Sequence, residues 1–144
     1  MNKRYHSSSW GRKANMNTLE KDIHIWLLRK QNFFCESTNI PNKAIHAYGK
    51  LGQWENAVGV IWDMREMKVN RDVVTYTSAI SACARAKQWK SALRLLQEMR
   101  RESIKPNVIS YNASISACEK GLQWEKALEL LSEMKNKGLQ PNRF

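Results

Sequence analysis

Residues 108–142 read VISYNASISACEKGLQWEKALELLSEMKNKGLQPN, and residues 73–107 read VVTYTSAISACARAKQWKSALRLLQEMRRESIKPN. Laid one over the other without a gap, they agree at 16 of 35 positions. Chains of average composition would agree at roughly two or three. Residues 38–72 match the last unit at 9 of 35. Gln53-Trp54 returns as Gln88-Trp89 and Gln123-Trp124, with Ala57, Ala92 and Ala127 three residues after each Trp and Met64, Met99 and Met134 ten after it. Such a fixed period marks a repeat architecture, and the units are 38–72, 73–107 and 108–142.

Inside each unit the apolar spacing is that of two short helices. Tyr111, Ile115 and Cys118 fall at i, i+4 and i+7, one stripe of a first helix. Gly121 interrupts that stripe. A second helix begins near Trp124 and carries Ala127, Leu128, Leu131 and Met134 on one face. Glu125 and Glu129 near its start and Lys135 and Lys137 near its end suit the helix dipole, and Gly138 and Pro141 end it. The middle unit repeats this from Tyr76 to Pro106; in the first, Pro41 takes the Tyr position, in a first helical turn. A lone helix pair cannot bury its apolar faces, so the pairs must stack. The expected fold is all-α, an α-solenoid of antiparallel helix pairs. Residues 18–37, with Leu19, Ile23, Trp26 and Leu27 at helical spacing and Thr18 as the expected cap, read as a degenerate half-repeat covering the first apolar face. Residues 1–17 hold Lys3, Arg4, Arg12 and Lys13, no acid and a Ser7-Ser8-Ser9 run, the composition of either a targeting segment or a frayed basic terminus.

Composition bounds the function. The 144 residues carry 24 Lys+Arg against 13 Asp+Glu, a net charge of +11, which favours anionic partners. The longest apolar run, Ile25 to Leu28, is far too short to span a membrane. Cys35, Cys83 and Cys118 cannot all pair, and no CxxC or His/Cys cluster accompanies them. Cys83 and Cys118 share one repeat register and read as small buried apolar residues, as do the recurring Met and Trp side chains, although Trp54, Trp89 and Trp124 also have the shape of base-stacking platforms. His6, His24 and His46 lack recurrent carboxylate, thiol or hydroxyl partners, and the acids are scattered rather than clustered for metal. No catalytic residue, metal site or cofactor is expected.

The sequence resembles the pentatricopeptide repeat family, whose unit runs V-x-[TS]-Y-N, a small-residue helix, then A-L-x-L-[FL]-x-E-M and G-[IL]-x-P-[DN]. Val108-Ile109-Ser110-Tyr111-Asn112, Ala127 through Met134, and Gly138-Leu139-Gln140-Pro141-Asn142 follow it. Val73-Val74-Thr75-Tyr76-Thr77 and Pro106-Asn107 do likewise, whereas the first unit opens on Asn39-Ile40-Pro41 and lacks the closing Pro. The resemblance implies a non-catalytic, sequence-selective binder of single-stranded RNA in which each repeat addresses one base through two or three side chains. Carried onto this chain, the base-reading pairs are Asn42 with Asp72, Thr77 with Asn107, and Asn112 with Asn142, for a core U-A-C/U. Capping, turn or solvated roles are the plainer reading of the same residues. Asn39, Val74 and Ile109 would sandwich bases. Lys50, Arg85 and Lys120, recurring near the end of each first helix, would meet phosphates or simply line a solvated edge. The resemblance also implies organellar RNA metabolism, mitochondrial or plastid, otherwise cytoplasmic. Further repeats or self-association could cover exposed solenoid ends, and a scaffold binding a peptide in its groove is the alternative function.

Overall fold

The computed structural model describes residues 17–32, 35 and 37–140. The basic segment 1–16, Pro141 and Asn142 lie outside them. Among the described residues seven helices follow in order: α1 (Thr18–Gln31), α2 (Asn39–Lys50), α3 (Trp54–Glu66), α4 (Val73–Arg85), α5 (Trp89–Arg101), α6 (Val108–Lys120) and α7 (Trp124–Asn136). The pairs α2/α3, α4/α5 and α6/α7 are the three repeats, and α1 occupies the place of a second helix ahead of them. No helix is long and apolar enough to cross a membrane, among the described residues.

The sharp turns have one recurring solution. Gln53, Gln88 and Gln123 each donate a backbone N–H at 2.8 Å to Tyr48, Cys83 and Cys118 carbonyls, closing a six-residue loop over the end of each first helix. The residue before each Gln is left-handed: Gly52 (φ 78°), Lys87 (φ 61°) and Leu122 (φ 60°). Gly121 is therefore not the left-handed turn residue that its place in the sequence invites. Its function is steric, because the indole of Trp89 lies over it and an added Cβ would overlap the ring, 2.8 Å from Cγ. Gly138 (φ 77°) does take the left-handed role after α7.

Successive first helices pack side by side, α2 on α4 and α4 on α6, whereas successive second helices scarcely touch. Small residues explain the close layer. Ala44, Ala47, Ala79, Ala82 and Ala117 are buried there, and a Cβ on Gly49 would stand 3.0 Å from that of Ala82. The wider outer layer is bridged by long side chains instead: Lys30 to Asp63 at 2.9 Å, Arg65 to Glu98 at 2.8 Å, and Arg100 to Glu133. Tight spacing on one side and wide spacing on the other curves the stack, with α2, α4 and α6 inside. Met64, Met99, Met134, Cys83 and Cys118 are fully buried between the layers.

Two local expectations change. Asn17, not Thr18, caps α1, because it and Glu20 form a reciprocal capping box: Asn17 Oδ1 accepts the Glu20 N–H at 2.9 Å, and Glu20 Oε1 accepts the Asn17 N–H at 3.2 Å. Trp54 and Trp89 are half-buried against the core, but Trp124 is 71% exposed, since no described unit follows to cover it.

Candidate nucleic-acid interface

The inner surface is built at the boundaries between repeats, where each first helix begins. Asp72 and Asn107 are the N-caps of α4 and α6; Asp72 Oδ1 accepts the Thr75 N–H at 3.0 Å, and Asn107 Oδ1 the Ser110 N–H at 2.9 Å. Capping thus falls to the last residues of the first and second units and not to Thr77 or Asn112, for which it was the plainer reading. The caps also look backwards across the boundary. Asn42 donates from Nδ2 to Asp72 Oδ1 at 3.2 Å, and its carbonyl accepts from the Thr75 hydroxyl at 2.6 Å. Burial works against the Asp72 charge, yet hydrogen bonds from Thr75 and Asn42 outweigh it and hold the carboxyl below the usual aspartate value. The group is ionised at neutral pH.

Asn42 and Asp72 open into a cavity of about 460 Å³ whose walls include Asn39, Val74, Lys43 and His46. Four residues singled out in the first unit and at the start of the second therefore share one recess. Val74 and Ile109, 52% and 57% exposed, stand free on the first turns of α4 and α6. Apolar side chains of that size held in solvent offer flat contact to a ligand.

The second boundary is tighter. Thr77, expected to be open to the groove, is only 9% exposed, and its hydroxyl lies 2.9 Å from Ser110 Oγ. The physical cause is the close approach of α4 and α6, which brings the hydroxyl of the following unit against it. At the third unit Asn112 is half-buried, with Oδ1 enclosed and without a partner among the described residues, while Asn142 lies outside them. Lys50, Arg85 and Lys120 are all exposed in the last turns of α2, α4 and α6. There they also complement the helix dipoles.

Behind the groove, a second set of contacts escaped the sequence reading, those of the arginines crossing the unit boundaries and those of the tyrosines lying within a unit. Glu102 accepts from Arg71, Arg65 and the Tyr76 hydroxyl, the last at 3.0 Å; Glu133 accepts from Arg100 and, at 2.7 Å, from the Tyr111 hydroxyl. The signal was present: basic residues at 30, 65 and 100 and acids at 63, 98 and 133 keep the repeat period.

Models of the pentatricopeptide repeat match the chain three times: a pentatricopeptide repeat domain over residues 59–121, the PPR repeat family over 106–144, and a PPR repeat over 42–69. The chain belongs to the pentatricopeptide repeat family. Among solved structures it is similar to the pentatricopeptide repeat protein PPR10 in complex with an 18-nt psaJ RNA element, with a TM-score of 0.73 and 24% identity over 96% of this chain and 19% of that one. PPR10 from maize gives a TM-score of 0.62 and 27% identity, over 86% of this chain and 18% of that one. The chain thus spans about a fifth of the length of these proteins. No curated protein sequence matches.

Proposed function

We propose that the inner surface binds single-stranded RNA, one base at each repeat boundary, without chemistry of its own. The observation that carries this reading is the joining of Asn42 to Asp72 across a boundary, inside a recess that also holds Asn39 and Val74. A base edge entering there meets polar groups held in place by their own hydrogen bonds, and its faces meet the flanking side chains. By the family's pairing, Asn42 with Asp72 takes uracil, Thr77 with Asn107 adenine, and Asn112 with Asn142 a pyrimidine, cytosine first. PPR10, solved with an RNA, supports the polymer class. Lys50, Arg85 and Lys120 form the edge along which phosphates run, and an organellar transcript is the natural target class for this family.

Affinity is limited by size. Stacking contributes about 1–3 kcal/mol per base, and association costs remove much of it. The exposed end of α6 and α7 bears on this. Trp124 and Leu128 are exposed, Asn112 Oδ1 has no partner, and Lys135, next in the series Lys30, Arg65, Arg100, has no acid among the described residues. A further helix pair offering a hydroxyl, a small residue and a carboxylate at the repeat's spacing would complete all these contacts and lengthen the RNA track.

Titration with a short RNA containing U-A-C and with its scrambled counterpart, over a salt series, tests the reading. Tighter binding of U-A-C, weakening steeply as salt rises, is expected. Equal affinity for both, or none, refutes it and favours a peptide-binding scaffold.

A further inference from the structure

The hydroxyl at the third place of the second and third units belongs to no base-reading pair, yet it touches the reader of the unit before. Thr75 Oγ1 is 2.6 Å from Asn42 Oδ1, and Ser110 Oγ is 2.9 Å from Thr77 Oγ1; both contacts are 33 residues apart in sequence. We infer that Thr75 and Ser110 are positioning residues that fix which hydrogen-bonding face Asn42 and Thr77 turn to an RNA base. The inference rests on the RNA reading above and deepens it.

Proton counting supports it. At the first boundary Thr75 Oγ1 accepts the Asp72 N–H at 3.1 Å, and its own proton has two acceptors in reach, Asp72 Oδ1 at 2.9 Å and Asn42 Oδ1 at 2.6 Å; we assign it to the nearer, Asn42. The Asn42 amide nitrogen then faces Asp72. The reverse orientation would set a carbonyl against an ionised carboxylate. Asn42 therefore has one N–H left for a ligand, beside the Asp72 carboxylate, which Val74 also approaches through its backbone N–H. A donor beside an acceptor complements the O4 and N3–H edge of uracil and mismatches the amine and N3 of cytosine.

At the second boundary Ser110 Oγ has three neighbours: the Asn107 N–H at 3.3 Å, Asn107 Oδ1 at 3.0 Å and the Thr77 hydroxyl. One arrangement places a single proton in every contact. Asn107 N–H donates to Ser110, Ser110 donates to Asn107 Oδ1, and Thr77 donates to Ser110. Thr77 is left with lone pairs only, and Asn107 with its amide N–H groups. An acceptor beside a donor complements the N6 amine and N1 of adenine and mismatches guanine. Asn112 provides the counter-case. No described unit follows to supply a hydroxyl, and its Oδ1 is enclosed without a partner among the described residues.

The experiment is a set of NMR titrations of the full chain with short RNAs that differ only at the first or the middle base. Wild type is expected to favour U over C at the first and A over G at the middle by about 3–10-fold, the range of one net hydrogen bond. Thr75→Val should bring the U/C ratio to within about twofold and leave the A/G ratio intact. Ser110→Ala should do the reverse. Thr75→Ser, which restores the hydroxyl, should restore the U/C ratio. Undiminished ratios in both variants, or equal losses at both bases in either, overturn the positioning role while the RNA reading stands. A wild type blind to both bases removes the reading and the inference together.

Discussion

Replacing Asp72 separates helix initiation from ligand chemistry. Its Oδ1 receives the Thr75 N–H and the Asn42 amide within 3.2 Å. Asp72→Ala removes the cap of α4, about 1 kcal/mol, and leaves the Asn42 amide to water, about 0.5 kcal/mol more. The sum, about 1.5 kcal/mol, corresponds to a fall of about 5 °C in Tm for a chain of this size. Asp72→Asn keeps a competent cap and should stay within about 0.5 kcal/mol of wild type. It nonetheless replaces a charged acceptor by an amide, and should move the first-base preference from uracil toward cytosine. The pH dependence has a definite sign. The folded carboxyl lies below its ordinary value, so its stabilising effect is present at neutral pH and is lost as acid protonates it. The gap between wild type and Asp72→Asn should therefore close in acid. Circular-dichroism melts of the three proteins at neutral pH and near pH 3 decide the matter. An alanine variant as stable as wild type, or an asparagine variant as unstable as the alanine one, would refute the assignment of Asp72 as cap.

Gly121→Ala should destabilise by about 1–3 kcal/mol, because the new methyl overlaps the Trp89 ring; Gly59→Ala, inside α3 with nothing within 4 Å of its Cβ site, should stabilise by about 0.5–1 kcal/mol, and melts compare the two. Of the three thiols, burial pushes Cys83 up to about 12 and raises Cys118 as well. Mass spectrometry after brief alkylation of the native chain at neutral pH should find label on half-buried Cys35 alone. Burial also opposes the Glu102 charge, but the Tyr76, Arg71 and Arg65 contacts hold the carboxyl below its ordinary value. Glu102→Gln should lower Tm at neutral pH, with the difference fading in acid; a difference that persists unchanged in acid counts against the charge as its source.

The helices and their limits were legible because one period governs everything local: Trp54, Trp89 and Trp124 do begin second helices, and Met64, Met99 and Met134 do fill the core. What escaped lies between units. The burial of Thr77 depends on Ser110, 33 residues away, and no helical or turn spacing connects the two. Gly121 shows in the sequence only as a break in an apolar stripe; the left-handed residue is its neighbour Leu122, and the glycine answers to a tryptophan in the previous unit. Capping of α1 fell one residue early because Thr18 and Asn17 are both competent caps, and only Asn17 stands three residues before a glutamate. The hydroxyl contact recurs between Asn42 and Thr75 at the same offset of 33, so comparison of unit with neighbouring unit, rather than of unit with itself, is where it could have been read.

The contact of Gly49 with Ala82 fixes how far α2 stands from α4. These helices carry Asn42 and Thr77, the base readers proposed for successive units, so the same contact would set the stride from one reading position to the next. A methyl group added at Gly49 would push the rods apart by a few tenths of an ångström and lengthen the ruler at that step alone. A strand laid along the inner face would then have to stretch between two neighbouring letters, so the gauge of this surface is kept by its smallest residues rather than by those that touch the ligand.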